Sequence, residues 1–156
     1  MTEAAAEQSR KTLWAWTAAT FFGAGLCKPA PGTWGSAGAL LLWAAFAWGG
    51  HASARGLLVF LAVGIVLSIA LGVPAATIAE RESGRHDPGF VVIDEVAGQW
   101  ITLLGSPADW KHALIGLILF RLFDITKPYP GRLLEKLPEG WASFSTMWPQ
   151  GCMLWV

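Results

Sequence analysis

Apolar positions run along this chain in blocks, separated by short polar or glycine- and proline-rich breaks. Met1–Lys11 is a polar tail, and Leu13–Gly25 is apolar with many small residues until Pro29, Pro31 and Gly32 interrupt it. Ser36–Gly50 is an apolar run of 15 residues. After Arg55, the 24 residues of Gly56–Ala79 carry no charge. They form the clearest spanning candidate, since a bilayer core of roughly 30 Å takes about 20 helical residues. Pro74 within this run predicts a kink or a packed junction. Glu80–Pro88, ERESGRHDP, is the most charged loop. Val91–Gly105 and His112–Phe123 predict two more helices, short for a crossing unless they extend into their flanks or are shielded by neighbours. The pattern predicts an all-α fold, an integral membrane bundle of about four spanning or partly spanning helices plus a short N-terminal apolar helix. Its organisation is a polar tail over 1–11, an embedded domain over 12–137 and a distinct tail over 138–156.

Composition supports the membrane reading. The chain is 156 residues long, enough for one domain, with 54% hydrophobic residues, 14% charged residues and ten Trp. A soluble domain carries about 25% charged residues, so this chain has too few to coat a globule. Its mean hydropathy is +0.46. Zero net charge argues against a nucleic-acid partner, which would need phosphate neutralisation. Cys27 and Cys152 lie far apart with no Cys-x-x-Cys or Cys/His spacing, so neither a disulfide framework nor a zinc site is expected. No cleavable leader is expected either, because the apolar stretch after Met1–Lys11 continues without an A-x-A stop.

Basic residues orient the spans. Arg10, Lys11 and Lys28 precede the first long segment, Arg81 and Arg85 lie between the second and third, and Lys127, Arg132 and Lys136 follow the fourth. The other two connections hold only Arg55 and Lys111. The positive-inside rule then puts the N-terminus, the Glu80–Pro88 loop and Lys127–Lys136 in the cytoplasm. Every polar motif falls on that side: Pro31–Ser36, His86–Glu95 and Arg121–Lys127.

Each motif has a chemical and a plainer account. In KPAPGTWGS, Lys28–Ser36, Gly32 and Gly35 let backbone amides approach a ligand. A helix N-terminus carrying the Thr33 and Ser36 hydroxyls is a phosphate seat. The plainer account is an N-cap after a Pro-Gly turn. Asp94 and Glu95 point about 100° apart on a helix. Two carboxylates near one spot invite Mg²⁺, which takes oxygen ligands and keeps waters for a phosphate. The plainer account is an acidic pair favoured by the helix dipole. Gly98, one turn on, leaves room for a neighbouring helix. Asp124 ends a helix, where its charge opposes the dipole and needs a partner; Arg121 supplies one from the same face. Lys127 precedes Pro128, so it is extended and free to reach a ligand. The plainer account is an interfacial Arg–Asp pair with a snorkelling Lys. His86 and Asp87 offer a further acid/base or metal group, against a solvated loop. Carboxylates at the ends of membrane-length apolar segments are costly, which favours a working site.

Three segments together, GAGLCKPAPGTWGS, HDPGFVVIDEVAGQWITLL and FRLFDITKPYP, resemble the bacterial phosphatidylglycerophosphatase A family from about Phe22 to Leu137. The matching positions are Pro31, Gly32, Thr33, Gly35, Ser36, Asp87, Asp94, Glu95, Gly98, Arg121, Asp124, Lys127 and Pro128. The resemblance implies a multi-pass inner-membrane, Mg²⁺-dependent lipid phosphatase that converts phosphatidylglycerophosphate to phosphatidylglycerol in phospholipid biosynthesis. The roles follow from chemistry. Asp94, Glu95 and Asp124, with Asp87, are expected to hold Mg²⁺. Gly32, Thr33, Gly35, Ser36, Arg121 and Lys127 are expected to bind phosphate. Asp94, Glu95, Asp124 and Lys127 form the expected catalytic set, with attack by water and attack by an Asp carboxylate both open. The alternatives are a small ion or proton carrier using the same acids as relay groups, and a noncatalytic membrane subunit.

The tail departs from the family, which continues with a Gly-rich turn and an Asp-Asp-x-x-Ala-Gly helix start. Gly140–Val156 reads GWASFSTMWPQGCMLWV, without an acid. Back-translated from the last base of the Gly140 codon, Trp141/Ala142 must give Gly, Met147/Trp148 must give Val and Trp148/Pro149 must give Ala. Ser145, Thr146 and Met147 permit Asp-Asp, and Gln150/Gly151 permits Gly. The shifted frame allows G-x-x-F-D-D-V-A-x-G, so the tail is read as a frameshift near Pro138–Gly140 that removes two candidate metal ligands. Resequencing these codons is expected to reveal an insertion or deletion relative to a sister strain; an intact frame in both counts against the reading.

Overall fold

The computed structural model describes residues 11–49, 52–86 and 88–126, and these form helices without a strand. The helices are α1 (Leu13–Ala19), α2 (Pro31–Gly49), α3 (Ala54–Ser83), α4 (Ile93–Leu103) and α5 (Trp110–Thr126), with a 3₁₀ turn at Ala24–Leu26. The all-α expectation holds. Several boundaries differ from the sequence reading, each for a local reason. The Leu13–Gly25 block is split because Phe21, Phe22 and Gly23 take φ of 46°, 55° and 92°, which reverses the chain after α1. α2 starts at Pro31 rather than near Ser36, since proline lacks only an N–H that a first helical turn leaves unbonded anyway. α3 runs through Pro74 and takes in Glu80–Ser83, the start of the expected charged loop. Gly84, at φ 64°, stops it with its N–H on the Arg81 carbonyl.

The short α4 is the centre of the bundle. Its 11 residues span roughly 16 Å at a rise of about 1.5 Å each, too little to cross a bilayer core. Burial solves the problem: Val96 through Leu103 are all buried, with α3, α2 and α5 packed around them. Trp100 locks the arrangement. Its indole N–H donates to the Ala39 carbonyl of α2 at 3.0 Å, and its ring lies against Gly64 of α3. A Cβ on Gly64 would stand 2.7 Å from Trp100 Cε3, so the glycine is what lets α3 close on the ring.

α1 is fastened to the same end of the bundle by two contacts. Trp16 stacks on Phe90 at 4.8 Å between ring centroids, and the Val92 N–H donates to the Ala19 carbonyl at 2.8 Å. The Glu82 carboxylate, in the last turn of α3, accepts three hydrogen bonds: from the Thr12 N–H at 2.9 Å, the Thr12 hydroxyl at 2.5 Å and the Trp16 indole N–H at 2.7 Å.

The outer faces are apolar. Leu58, Val59, Val63, Val66, Leu67 and Leu71 of α3, and Leu114, Ile115, Ile118 and Leu122 of α5, are exposed large hydrophobics. Contiguous exposure of this kind suits lipid contact rather than water. Among the described residues, α3 is the helix long and apolar enough by itself to cross a membrane.

Because Glu82 gathers three donors from the start of α1, Glu82→Ala should free that helix while leaving the α2–α5 core folded. Hydrogen–deuterium exchange across residues 13–19 is expected to speed up by about tenfold or more, with exchange in α4 unchanged.

Candidate active site

Three helix ends converge on Gly32. In the first turn of α2, Gly32 is buried, and a Cβ built there would run into the Glu95 Oε1 of α4 and stand 2.9 and 3.2 Å from Arg121 Nη1 and Nη2 of α5. Glycine leaves space here for the ends of these two side chains. Arg121 Nη1 also donates to Asp124 Oδ2 at 2.6 Å, in the i,i+3 geometry expected from the sequence. The Glu95 carboxylate shares a hydrogen bond with Asp94 and lies within electrostatic range of Asp124. The structure therefore brings Gly32, Asp94, Glu95, Arg121 and Asp124 to one end of the bundle.

The helix dipoles act unequally on this cluster. Asp94 and Glu95 sit in the first turn of α4, where the positive end of the dipole favours anions. Asp124 sits near the C-terminus of α5, where the dipole opposes it and Arg121 compensates. Among the described residues, three carboxyl groups face one guanidinium, and the hydrogen bond between Glu95 and Asp94 takes one proton. Glu95 Oε2 and Arg121 Nε are both buried and have no hydrogen-bond partner among the described residues. Such atoms are costly to bury and mark where a further polar group fits.

The Pro31–Ser36 residues behave differently from one another. Thr33 is exposed, and its N–H already bonds the Ala30 carbonyl at 3.0 Å. Gly35 and Ser36 lie inside α2, where their amides bond back along the helix. The missing side chain of Gly35 faces Val92, whose Cβ would be 2.9 Å from a Cβ placed there. The early helix start thus leaves the Gly32 amide, rather than a run of loop amides, as the donor beside Glu95 and Arg121. The Ser36 side chain is fully buried. Asp87 and Lys127 lie outside the described residues, as do Pro128 and the whole tail.

Two residues carry more than the sequence reading assigned. Glu80, read as the start of a solvated loop, is 6% exposed inside α3, with His86 Nδ1 3.9 Å from its Oε2. The signal was its i,i+4 spacing from Ala76 on a small-residue face. Gln99, a lone amide inside an apolar run, is fully buried. Its signal was a position one turn after Glu95.

The donor set bears on the expected metal. Among the described residues no three His, Cys, Asp or Glu side chains are grouped to hold an ion by themselves. Mg²⁺ is commonly held by one or two carboxylates together with waters and substrate phosphate, and the excess acid beside the partnerless Glu95 Oε2 fits that mode.

Residues 17–145 match the profile of a family described as Phosphatidylglycerophosphatase A. The chain belongs to the phosphatidylglycerophosphatase A family. It is 34% identical over 125 residues to a Phosphatidylglycerophosphatase A of Escherichia coli, covering 76% of this chain and 66% of the relative. To a Phosphatidylglycerophosphatase A of Haemophilus influenzae it is 39% identical over 121 residues, covering 76% and 71%. A Putative phosphatidylinositol-3-phosphatase of Bacteroides thetaiotaomicron is 37% identical over 124 residues, covering 78% and 76%. The chain thus spans about two thirds to three quarters of the length of these relatives. No solved structure matches it.

A methyl group at Gly32 must push back the side-chain ends of Glu95 and Arg121. Gly32→Ala should cost about 1–3 kcal/mol of stability, read as a lower melting temperature in detergent. Gly49→Ala, where a Cβ meets nothing within 4 Å, should leave that temperature unchanged.

Proposed function

We propose that this chain hydrolyses the terminal phosphomonoester of phosphatidylglycerophosphate, releasing phosphate and phosphatidylglycerol, at the cytoplasmic face of the bacterial inner membrane. The observation that carries the reading is the meeting of Glu95 and Arg121 on Gly32, with Asp124 bonded to Arg121, in a member of this family. The apolar outer faces and the basic residues of the connections support a multi-pass bundle with this end inward.

The terminal phosphate would lie between Arg121 and the first turn of α2. The planar guanidinium offers paired donors to two phosphate oxygens, and the Gly32 amide at the positive end of the α2 dipole offers another. One or two carboxylates of the set Asp94, Glu95 and Asp124, joined by Asp87 and by waters, would hold Mg²⁺, which when bound supplies charge neutralisation for the phosphoryl oxygens. Lys127 would balance the remaining negative charge. In-line attack falls to a water or to an Asp carboxylate, and trapping of an acyl-phosphate separates the two. The acyl chains would stay in the leaflet while the head group enters the cluster. Clustering of the acids at one end of the bundle supports this reading over an ion carrier, which needs acids strung along a pathway.

The tail is part of the proposal. The acid-free sequence after Gly140 removes the family's Asp-Asp pair, so activity should be lower for the printed tail than for a frame-restored one.

Phosphate release from phosphatidylglycerophosphate in mixed micelles tests the whole reading. It should require Mg²⁺ and stop on chelation. Asp124→Ala in the frame-restored chain should lower kcat/KM by about a hundredfold or more while membrane insertion persists. Near-normal release from Asp124→Ala removes that residue from the site.

A further inference from the structure

One helical turn further along α2 and α4 from the cluster lie two more buried polar side chains. Ser36 of α2 and Gln99 of α4 are both 0% exposed, and Ser36 Oγ, Gln99 Nε2 and Gln99 Oε1 lack a hydrogen-bond partner among the described residues. Ser36 follows Gly32 by four residues and Gln99 follows Glu95 by four, so each sits beneath a member of the cluster on the same helix face. Gly32 faces Glu95, and further along the Ala39 carbonyl accepts from the Trp100 indole. The two helices therefore run side by side in one direction, with Ser36 and Gln99 each one turn further along than Gly32 and Glu95. α5 approaches Gln99 with Gly116, where a Cβ would stand 3.9 Å from Gln99 Nε2. The neighbouring Thr102 hydroxyl cannot donate to the Gln99 carbonyl oxygen, because its proton already goes to the Gly98 carbonyl at 3.0 Å.

A buried amide with neither its donor nor its acceptor satisfied is costly, and an apolar residue of the same shape would be cheaper. The group that satisfies it must both accept and donate, and an alcohol hydroxyl does both. We propose that Gln99, assisted by Ser36, binds the free secondary hydroxyl of the head-group glycerol and so selects the lipid by its head group. The inference rests on the reading that the cluster above takes the terminal phosphomonoester. The order of groups agrees with a lipid in the inner leaflet: phosphate outermost at Arg121, hydroxyl about 5.4 Å deeper, acyl chains towards the bilayer interior.

The test measures binding of two lipids to the full chain in mixed micelles without divalent cation, so that affinity is read without turnover. One lipid is phosphatidylglycerophosphate, and the other carries propane-1,3-diol in place of the head-group glycerol and so lacks only the hydroxyl. The unmodified chain is expected to prefer the glycerol lipid by about tenfold or more, because a site built around a hydroxyl rejects the analogue without it. Gln99→Leu should abolish the preference, and Ser36→Ala should reduce it; the second variant carries the test if the first does not fold. Equal affinity of the unmodified chain for both lipids overturns the inference. So does equal weakening of both lipids by Gln99→Leu, which indicates a buried water or a packing role. Phosphate release with Mg²⁺ on the same preparation tests the parent reading separately. A preference without release keeps the hydroxyl site and removes the hydrolase reading; release without preference does the opposite. Binding of neither lipid overturns the hydroxyl site, and the parent reading is decided by phosphate release.

Discussion

The Arg121 guanidinium is the constraint around which this molecule is arranged. It is the described positive group that sits among Asp124, Glu95 and the first turn of α2, within an otherwise apolar bundle. Arg121 offsets the helix dipole, which disfavours a carboxylate at the end of α5. Gly32 leaves room for the ends of the Glu95 and Arg121 side chains, which lie where its Cβ would stand. A charge pair so placed is weak evidence of stabilisation, since desolvation offsets much of its attraction. On the proposed function the pair serves preorganisation, with its donors and acceptors held in place by packed helices before a phosphate arrives.

Precision at that end depends on packing far from it. α4 is too short to face lipid alone and carries Glu95 and Asp94 in its first turn. Trp100, bonded to the Ala39 carbonyl and pressed on Gly64, sets the depth and rotation of α4 against α2 and α3. Val92 against Gly35 sets the spacing at the top. In lipid there is little hydrophobic driving force between helices, so close approach at small residues and hydrogen bonds from indole to carbonyl do the holding.

The site was legible where chemistry and spacing coincide. The Arg121–Asp124 pair follows from the i,i+3 spacing at a helix end, and the acidic start of α4 follows from Asp94 and Glu95 opening an apolar run. The helix start at Pro31 was not legible, because the apolar pattern begins only at Ser36. A first turn built from proline and two glycines has no periodicity to read. Gly35 looked like a ligand-side glycine, and its missing side chain proves to admit Val92. Glu80 sat in a string of charges, and only its position on the buried face of α3 separates it from Arg81, which is exposed. Gln99 drew no notice because one amide in an apolar run carries no pattern of its own.

By itself the sequence determined the class of the molecule: its apolar blocks, scarcity of charge and placement of basic residues specify a helical bundle with its polar motifs at one end. It also determined the family, through three ordered segments. Those properties are local or additive along the chain. Tertiary structure alone decided that α4 is a buried core helix rather than a full span. It also decided that Glu95 and Arg121 meet over Gly32, and that Ser36 and Gln99 are buried without a hydrogen-bond partner among the described residues. These are contacts between residues dozens of positions apart. Which helix faces which is set by the fit of small residues against large ones, and no spacing along the chain records that fit.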